Sequence, residues 1–258
     1  MKTETPQTIY LKDYTAPAYL VDTVDLVISI ETSATTVTAT LSMRRNPEVA
    51  AQPLVLDGDE LETQSVTVNG EKAVFFATPN TLTIEQLPDT FTLQTVVHIN
   101  PDKNTRLSGM YRSKDGYFTQ CEAQGFRRIT WFLDRPDVMS IYTVTLHADK
   151  SAMPILLANG NPVAAGEEPN GRHWARWADP FRKPCYLFAV VAGKLDGLFD
   201  IFKTASGREV NLAIYVEPGK LDQCPHAMAA LQKSMKWDEE RFGLECDLDH
   251  YMIVAVGD

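Results

Sequence analysis

The sequence has 258 residues, with 24 Lys+Arg against 34 Asp+Glu and a formal charge of −10. Hydrophobic residues make up 44% and charged residues 22%, a globular composition that excludes a mainly disordered, collagenous or coiled-coil chain. A pI near 5.0 argues against a nucleic-acid-binding surface, because phosphate recognition needs clustered Lys and Arg.

The polar stretch Met1–Tyr14 has no apolar segment of the kind a secretory signal needs. The longest apolar runs, Phe188–Ala192 and Tyr251–Val256, fall far short of the ~20 residues of a membrane helix. Cys121, Cys185, Cys224 and Cys246 are scattered, with no C-x-x-C, as in a reduced protein. The expectation is a cytoplasmic protein with no membrane partner.

Leu26, Ile28 and Ile30, then Val37, Ala39, Leu41 and Met43, recur with period two. That spacing predicts two strands, each burying one face. Val66 and Val68 lead into Asn69-Gly70, a two-residue hairpin signal. Further alternation occurs at Leu82 and Ile84, at Phe91, Leu93 and Val97, and at Tyr142, Val144 and Leu146. The segment Gly109–Val138 breaks the rhythm by mixing glycine, aromatics and charge, and is expected to be a site-bearing loop. Alternation resumes near Trp174 and Trp177, and Cys185–Ala192 reads as a buried strand. Phe199–Thr204 and Val210–Val216 flank a hairpin turn at Ala205–Arg208. From Pro225 to Phe242 the pattern is helical, with Met228, Leu231, Met235 and Phe242 on the apolar side and Gly243 as the stop. Leu248–Val256 reads as a strand buried on both faces. The fold class is mainly β, an antiparallel β-sandwich or saddle followed by a small α+β unit. That last unit is either a second domain cut short or a terminal strand docked on the first half.

Metal ligands need to cluster. His98, His147, His173, His226 and His250 are dispersed, and H-E-x-x-H is absent. G-x-S-x-G and the phosphate-cradling glycine loops are also absent. Gln120 and Glu122 are one residue apart, so in an extended backbone both project to one face. An amide oxygen beside a carboxylate can hold an ammonium group. The competing reading pairs Glu122 with Arg127 or Arg128. Cys121 between them reads as a small buried apolar residue. Asp134-Arg-Pro-Asp137 reads as a turn in which the carboxylates accept local N–H bonds.

Thr119-Gln-Cys-Glu-Ala-Gln-Gly-Phe-Arg127 and Leu133-Asp-Arg-Pro-Asp-Val138 together resemble the M1 family of zinc aminopeptidases. Lys12-Asp-Tyr14, Leu156-Leu-Ala-Asn-Gly160, Pro184-Cys-Tyr-Leu-Phe188, Ser206-Gly-Arg-Glu209 and Ser234–Gly243 extend the resemblance along the chain. It implies that residues 1–194 form an N-terminal β-saddle domain and that 195–258 are the truncated beginning of a thermolysin-like catalytic domain. The G-A-M-E-N strand, H-E-x-x-H and a glutamate ligand would then lie beyond Asp258. The resemblance implies a zinc ion in the full-length parent and none bound in this chain, which would have no catalytic residues and no hydrolytic activity alone. It makes Glu122 a contact to the free α-amine of peptide substrates and Gln120 a lining residue of the first specificity pocket. The implied partners are peptides and the remainder of the catalytic domain. Two readings from other classes are a non-enzymatic β-sandwich binding module using Trp174 and Trp177, and a metal-independent carboxylate hydrolase.

Overall fold

The structure is a computed structural model that describes residue 8, residues 10–31 and residues 34–256. Part of the polar stretch 1–14, and the last two residues, lie outside that range. The strands β1 (Tyr19–Ser29), β2 (Thr35–Arg45), β3 (Leu54–Asp57), β4 (Glu62–Val68), β5 (Glu71–Lys72), β6 (Phe76–Ala77), β7 (Thr81–Ile84) and β8 (Thr90–Ile99) precede a hairpin of β9 (Gly109–Ser113) and β10 (Gly116–Gln120). β11 (Met139–Asp149), β12 (Ile155–Ala158), β13 (Asn161–Glu167), β14 (Arg172–Pro184) and β15 (Val190–Gly193) follow. The last part comprises β16 (Asp196–Lys203), β17 (Glu209–Val216), α1 (Pro225–Phe242) and β18 (His250–Ala255).

These strands build an eight-stranded sheet, β13-β14-β11-β1-β2-β8-β4-β5, a four-stranded sheet, β12-β15-β10-β9, and two three-stranded sheets, β3-β7-β6 and β16-β17-β18. The fold is the mainly antiparallel β architecture that the alternation predicts. Two pairs are parallel instead. β1 runs alongside β11 with Leu26 opposite Val144 and Ile28 opposite Leu146, and β17 runs alongside β18. Local turn chemistry cannot signal either pair, because their partners are not joined by a hairpin.

The alternating apolar residues of β1, β2, β8 and β11 join Met110, Tyr117, Phe126, Leu156 and Val190 in one continuous core. Thr95 sits on the inward phase of β8, where its hydroxyl meets that of Thr130 at 3.1 Å, so the buried polar group is satisfied. The β4–β5 turn has Asn69 at φ 52° and Gly70 at φ 84°, the left-handed pair that a type I′ hairpin requires.

A second, smaller core joins Val210, Leu212, Ile214 and Val216 of β17 to Met228, Leu231 and Met235 of α1. The helix stops at Gly243 (φ 66°), whose N–H bonds Glu239 O at 3.0 Å. Phe242 departs from the expected apolar face: it is 59% exposed, its ring edge-on to Trp237. The buried stripe therefore ends before the last turn. β18 departs further. It is half-exposed along its length, with Tyr251 at 43%, because among the described residues β17 is its only strand partner. Cys185–Ala192 is not one strand either. Cys185–Leu187 forms a 3-10 turn, and the strand begins at Val190.

Polar contacts tie the two cores together. Lys114 Nζ lies 2.7 Å from Glu217 Oε1. Asn161 donates to Asp249 Oδ2 at 3.2 Å and accepts the Asp249 N–H at 2.9 Å, while Arg208 reaches Asp249 Oδ1 at 3.1 Å. No helix among the described residues is long and apolar enough to cross a membrane.

Candidate functional site

The segment expected to be a loop opens with regular structure and is irregular over most of its remainder. β9 and β10 form a hairpin, and β10 also pairs with β15, Phe118 opposite Val191. The hairpin's inner end is fixed by Tyr117, whose hydroxyl donates to Asp102 Oδ2 at 3.0 Å. At its outer end the Thr119 hydroxyl accepts the Val190 N–H at 2.9 Å. Residues 121–125 are irregular and run into a 3-10 turn at Phe126–Arg128, after which residues 129–138 are irregular again up to β11.

Gln120 is the last residue of β10 and is exposed. Cys121 is 2% exposed and points into the core, so its thiol is pushed up by burial, with Asp134 adding to the effect. Glu122 is exposed again, in a turn whose Ala123–Gln124 peptide is cis. Gln120 Nε2 donates to the Glu122 backbone oxygen at 3.1 Å, and among the described residues the Gln120 amide oxygen is left open.

The competing pairing of Glu122 with arginine does not form. Arg127 Nε donates to Asp134 Oδ2 at 2.9 Å, and its Nη1 lies 3.6 Å from Asp57. Arg128 is buried and held by Asp59 and Glu60. Among the described residues, the Glu122 carboxylate is left with no hydrogen bond or ion pair. A solvated carboxylate next to an open amide oxygen is a pair of acceptors for a cationic N–H donor.

Beneath this turn lies a residue whose importance the sequence understated. Asp134 is 2% exposed and accepts from the Arg127 N–H at 3.1 Å, from Arg127 Nε and, at 3.1 Å, from Cys185 Sγ. Its own N–H bonds Asp57 Oδ2 at 3.2 Å, and burial raises the Asp57 pKa against the pull of Arg127. The run Leu133-Asp-Arg-Pro-Asp137 marked a turn, but nothing local in it shows that its first carboxylate faces inward.

An apolar groove opens near the end of β10, between β12 and β15 on one side and β18 on the other, lined by Leu157, Val190, Val191, His250, Met252 and Val254. Among the described residues, no three His, Cys, Asp or Glu side chains gather as a metal site, so these residues do not fit a zinc ion. Trp177 is buried, with Nε1 donating to Leu156 O at 3.1 Å, and half-buried Trp174 packs over Gly166. They do not form a joint stacking platform, which removes the basis of the binding-module reading.

Residues 19–187 match the family described as Peptidase M1 N-terminal domain, and the chain belongs to that family. It is 52% identical to Aminopeptidase N of Escherichia coli over 98% of this chain and 29% of that protein. It is 48% identical to Aminopeptidase N of Caulobacter vibrioides over 100% of this chain and 30% of that protein. The chain thus spans under a third of the length of the curated relatives it matches. Among solved structures, Legionella pneumophila aminopeptidase A in complex with aspartic acid superposes with a TM-score of 0.91 at 33% identity, over 95% of this chain and 29% of that one. An M1 zinc metallopeptidase from Deinococcus radiodurans, bound to a Tyr-Ser-Ala substrate, shares the fold at a TM-score of 0.77 and 17% identity, over 92% of this chain and 56% of that one.

Proposed function

We propose that this chain is the N-terminal portion of a zinc-dependent aminopeptidase that releases N-terminal amino acids from peptides. Residues 1–194 would act as the saddle domain and residues 195–258 as the opening of the catalytic domain. The clustering of fully buried apolar residues into a large core before residue 195 and a smaller one after it supports that boundary, with Tyr215, Met252 and Val254 packing across it. Near-complete coverage of this chain by Aminopeptidase N relatives more than three times its length carries the reading.

The contribution of this chain is to substrate binding. Glu122 accepts N–H bonds from the protonated α-amine of the peptide, and the open Gln120 amide oxygen lies at the same turn, beside the first side-chain pocket. Such a contact demands a free N-terminus, because an acylated amine brings no positive charge to the carboxylate. Zinc, when bound, polarises the scissile carbonyl and activates water. Its ligands and the general base belong to polypeptide beyond this chain, and no hydrolytic step is assigned to the residues here.

The test is steady-state kinetics on an aminoacyl anilide. In the longer enzyme, Glu122→Ala loses one charge-assisted contact, about 1.5–3 kcal/mol of binding. Unchanged KM and kcat would overturn the role of Glu122. The purified 258-residue chain is expected to show no turnover, and activity in it would overturn the division of labour.

A further inference from the structure

Among the described residues Glu122 has no side-chain partner, so its backbone sets its position. That backbone is fastened at both ends. Upstream, Gln120 pairs with Gly109 in the β9–β10 ladder, and its amide bonds Glu122 O at 3.1 Å. Within the turn, the Gly125 N–H bonds Cys121 O at 2.9 Å. Downstream, the fastening converges on one buried residue, through both its carboxylate and its main-chain carbonyl. Asp134 Oδ2 receives both the main-chain N–H and Nε of Arg127, at 3.1 and 2.9 Å, and Asp134 O receives Arg127 Nη2 at 3.3 Å and Gln124 Nε2 at 3.5 Å. Asp134 Oδ1 is held in turn by Cys185 Sγ at 3.1 Å, which fixes the carboxylate from the opposite side.

We propose that Asp134 is the positioning residue for Glu122: by gripping Arg127 with its carboxylate it holds the turn at the height and angle at which Glu122 meets the substrate amine. The inference rests on reading Glu122 as the amine contact. The physical reason is that a solvated carboxylate on an untethered turn would sample many positions. Each would cost orientation at the reacting end of the substrate. Asp134→Asn keeps the shape of the side chain but removes the charge that makes the Arg127 bonds strong, and it sets an amide N–H₂ against either Arg127 or Cys185.

The experiment uses the zinc-loaded longer enzyme and two probes, an amino-acid hydroxamate and the same hydroxamate lacking its amine. Glu122→Gln is expected to weaken the amine-bearing probe and leave the other unchanged. Asp134→Asn is expected to do the same, by about ten-fold, which is the scale of a small misplacement. In a Glu122→Gln background, Asp134→Asn should add nothing. Arg127→Gln keeps the buried carboxylate and supplies the same comparison if Asp134→Asn does not fold. Equal weakening of both probes, or full additivity in the double variant, would overturn the positioning role while leaving Glu122 in place. A Glu122→Gln variant that does not distinguish the probes would instead overturn the amine contact, and the inference with it.

Discussion

Lys183 and Asp179, four residues apart on β14, form an ion pair at 2.7 Å, and both are buried. The ammonium also lies 4.2 Å from the centroid of the Tyr142 ring. Burial lowers the Lys183 pKa, opposed by the bond to Asp179. Removing one partner strands the other charge. Lys183→Ala is expected to destabilise the chain by about 3–5 kcal/mol, while Lys183→Met with Asp179→Leu should recover most of that loss. Urea denaturation of the two variants measures both. A single variant as stable as the parent would show the pair to be dispensable.

Gly125 has an ordinary backbone conformation but no room. A Cβ there would lie 2.4 Å from Gln120 O and 3.0 Å from Cys121 Cα. Both neighbours are main chain and cannot swing aside. Gly125→Ala is expected to cost about 1–3 kcal/mol by overpacking and to shift the NMR signals of Gln120 and Glu122. Gly70→Ala is the control: its Cβ meets nothing within 4 Å, so its cost comes from φ alone and the Gln120 and Glu122 signals should stay put.

Phe126 is the hub of the aromatic packing under the site, edge-on to Phe132 at 4.9 Å, Phe188 at 5.0 Å and Tyr142 at 6.2 Å. Phe126→Ala is expected to cost about 3–5 kcal/mol, and Phe126→Leu less, because the cavity is smaller. Calorimetry on the isolated chain reads the difference.

Glu217 links the two cores, and hydrogen bonds from Lys114 and then Lys220 lower its pKa from 4.5 to about 2. A carboxyl depressed on folding stabilises the fold above its unfolded pKa. That contribution is lost as pH falls from 4.5 through about 2. Carbon NMR should show Glu217 titrating near the lower value, and Lys114→Ala should move it back toward 4.5. Added salt should reduce the effect, since the group is solvated. A Glu217 that titrates near 4.5 in the unmodified chain would remove this tie.

Much of this architecture is legible in sequence where the signal is local. The inward sets Leu26-Ile28 and Val37-Ala39-Leu41 are buried as their period predicts, and α1 has the predicted bounds, Pro225–Phe242. The β9–β10 hairpin was obscured because aromatics occupy both phases and because its two turn residues are Lys114 and Asp115, with Lys114 at φ 50°, where glycine or asparagine is the usual signal. The i, i+2 argument placed Gln120 and Glu122 outward around a buried Cys121, although the strand ends at Gln120 and Glu122 lies in a turn. What was not legible depends on residues distant in sequence. The parallel register of β1 with β11 is one case, and the bond from Cys185 to Asp134, fifty-one residues apart, is another.

The half-covered β18 has a practical consequence for the chain handled by itself. Its outward row of main-chain N–H and C=O groups, flanked by Met252, Ile253 and Val254, is a template on which the same strand of another molecule can add. Concentrated solutions should therefore form edge-to-edge dimers, because pairing two copies of β18 leaves neither edge free. A lysine at Tyr251, which is exposed and packs against neither core, should keep the molecules apart in sedimentation experiments.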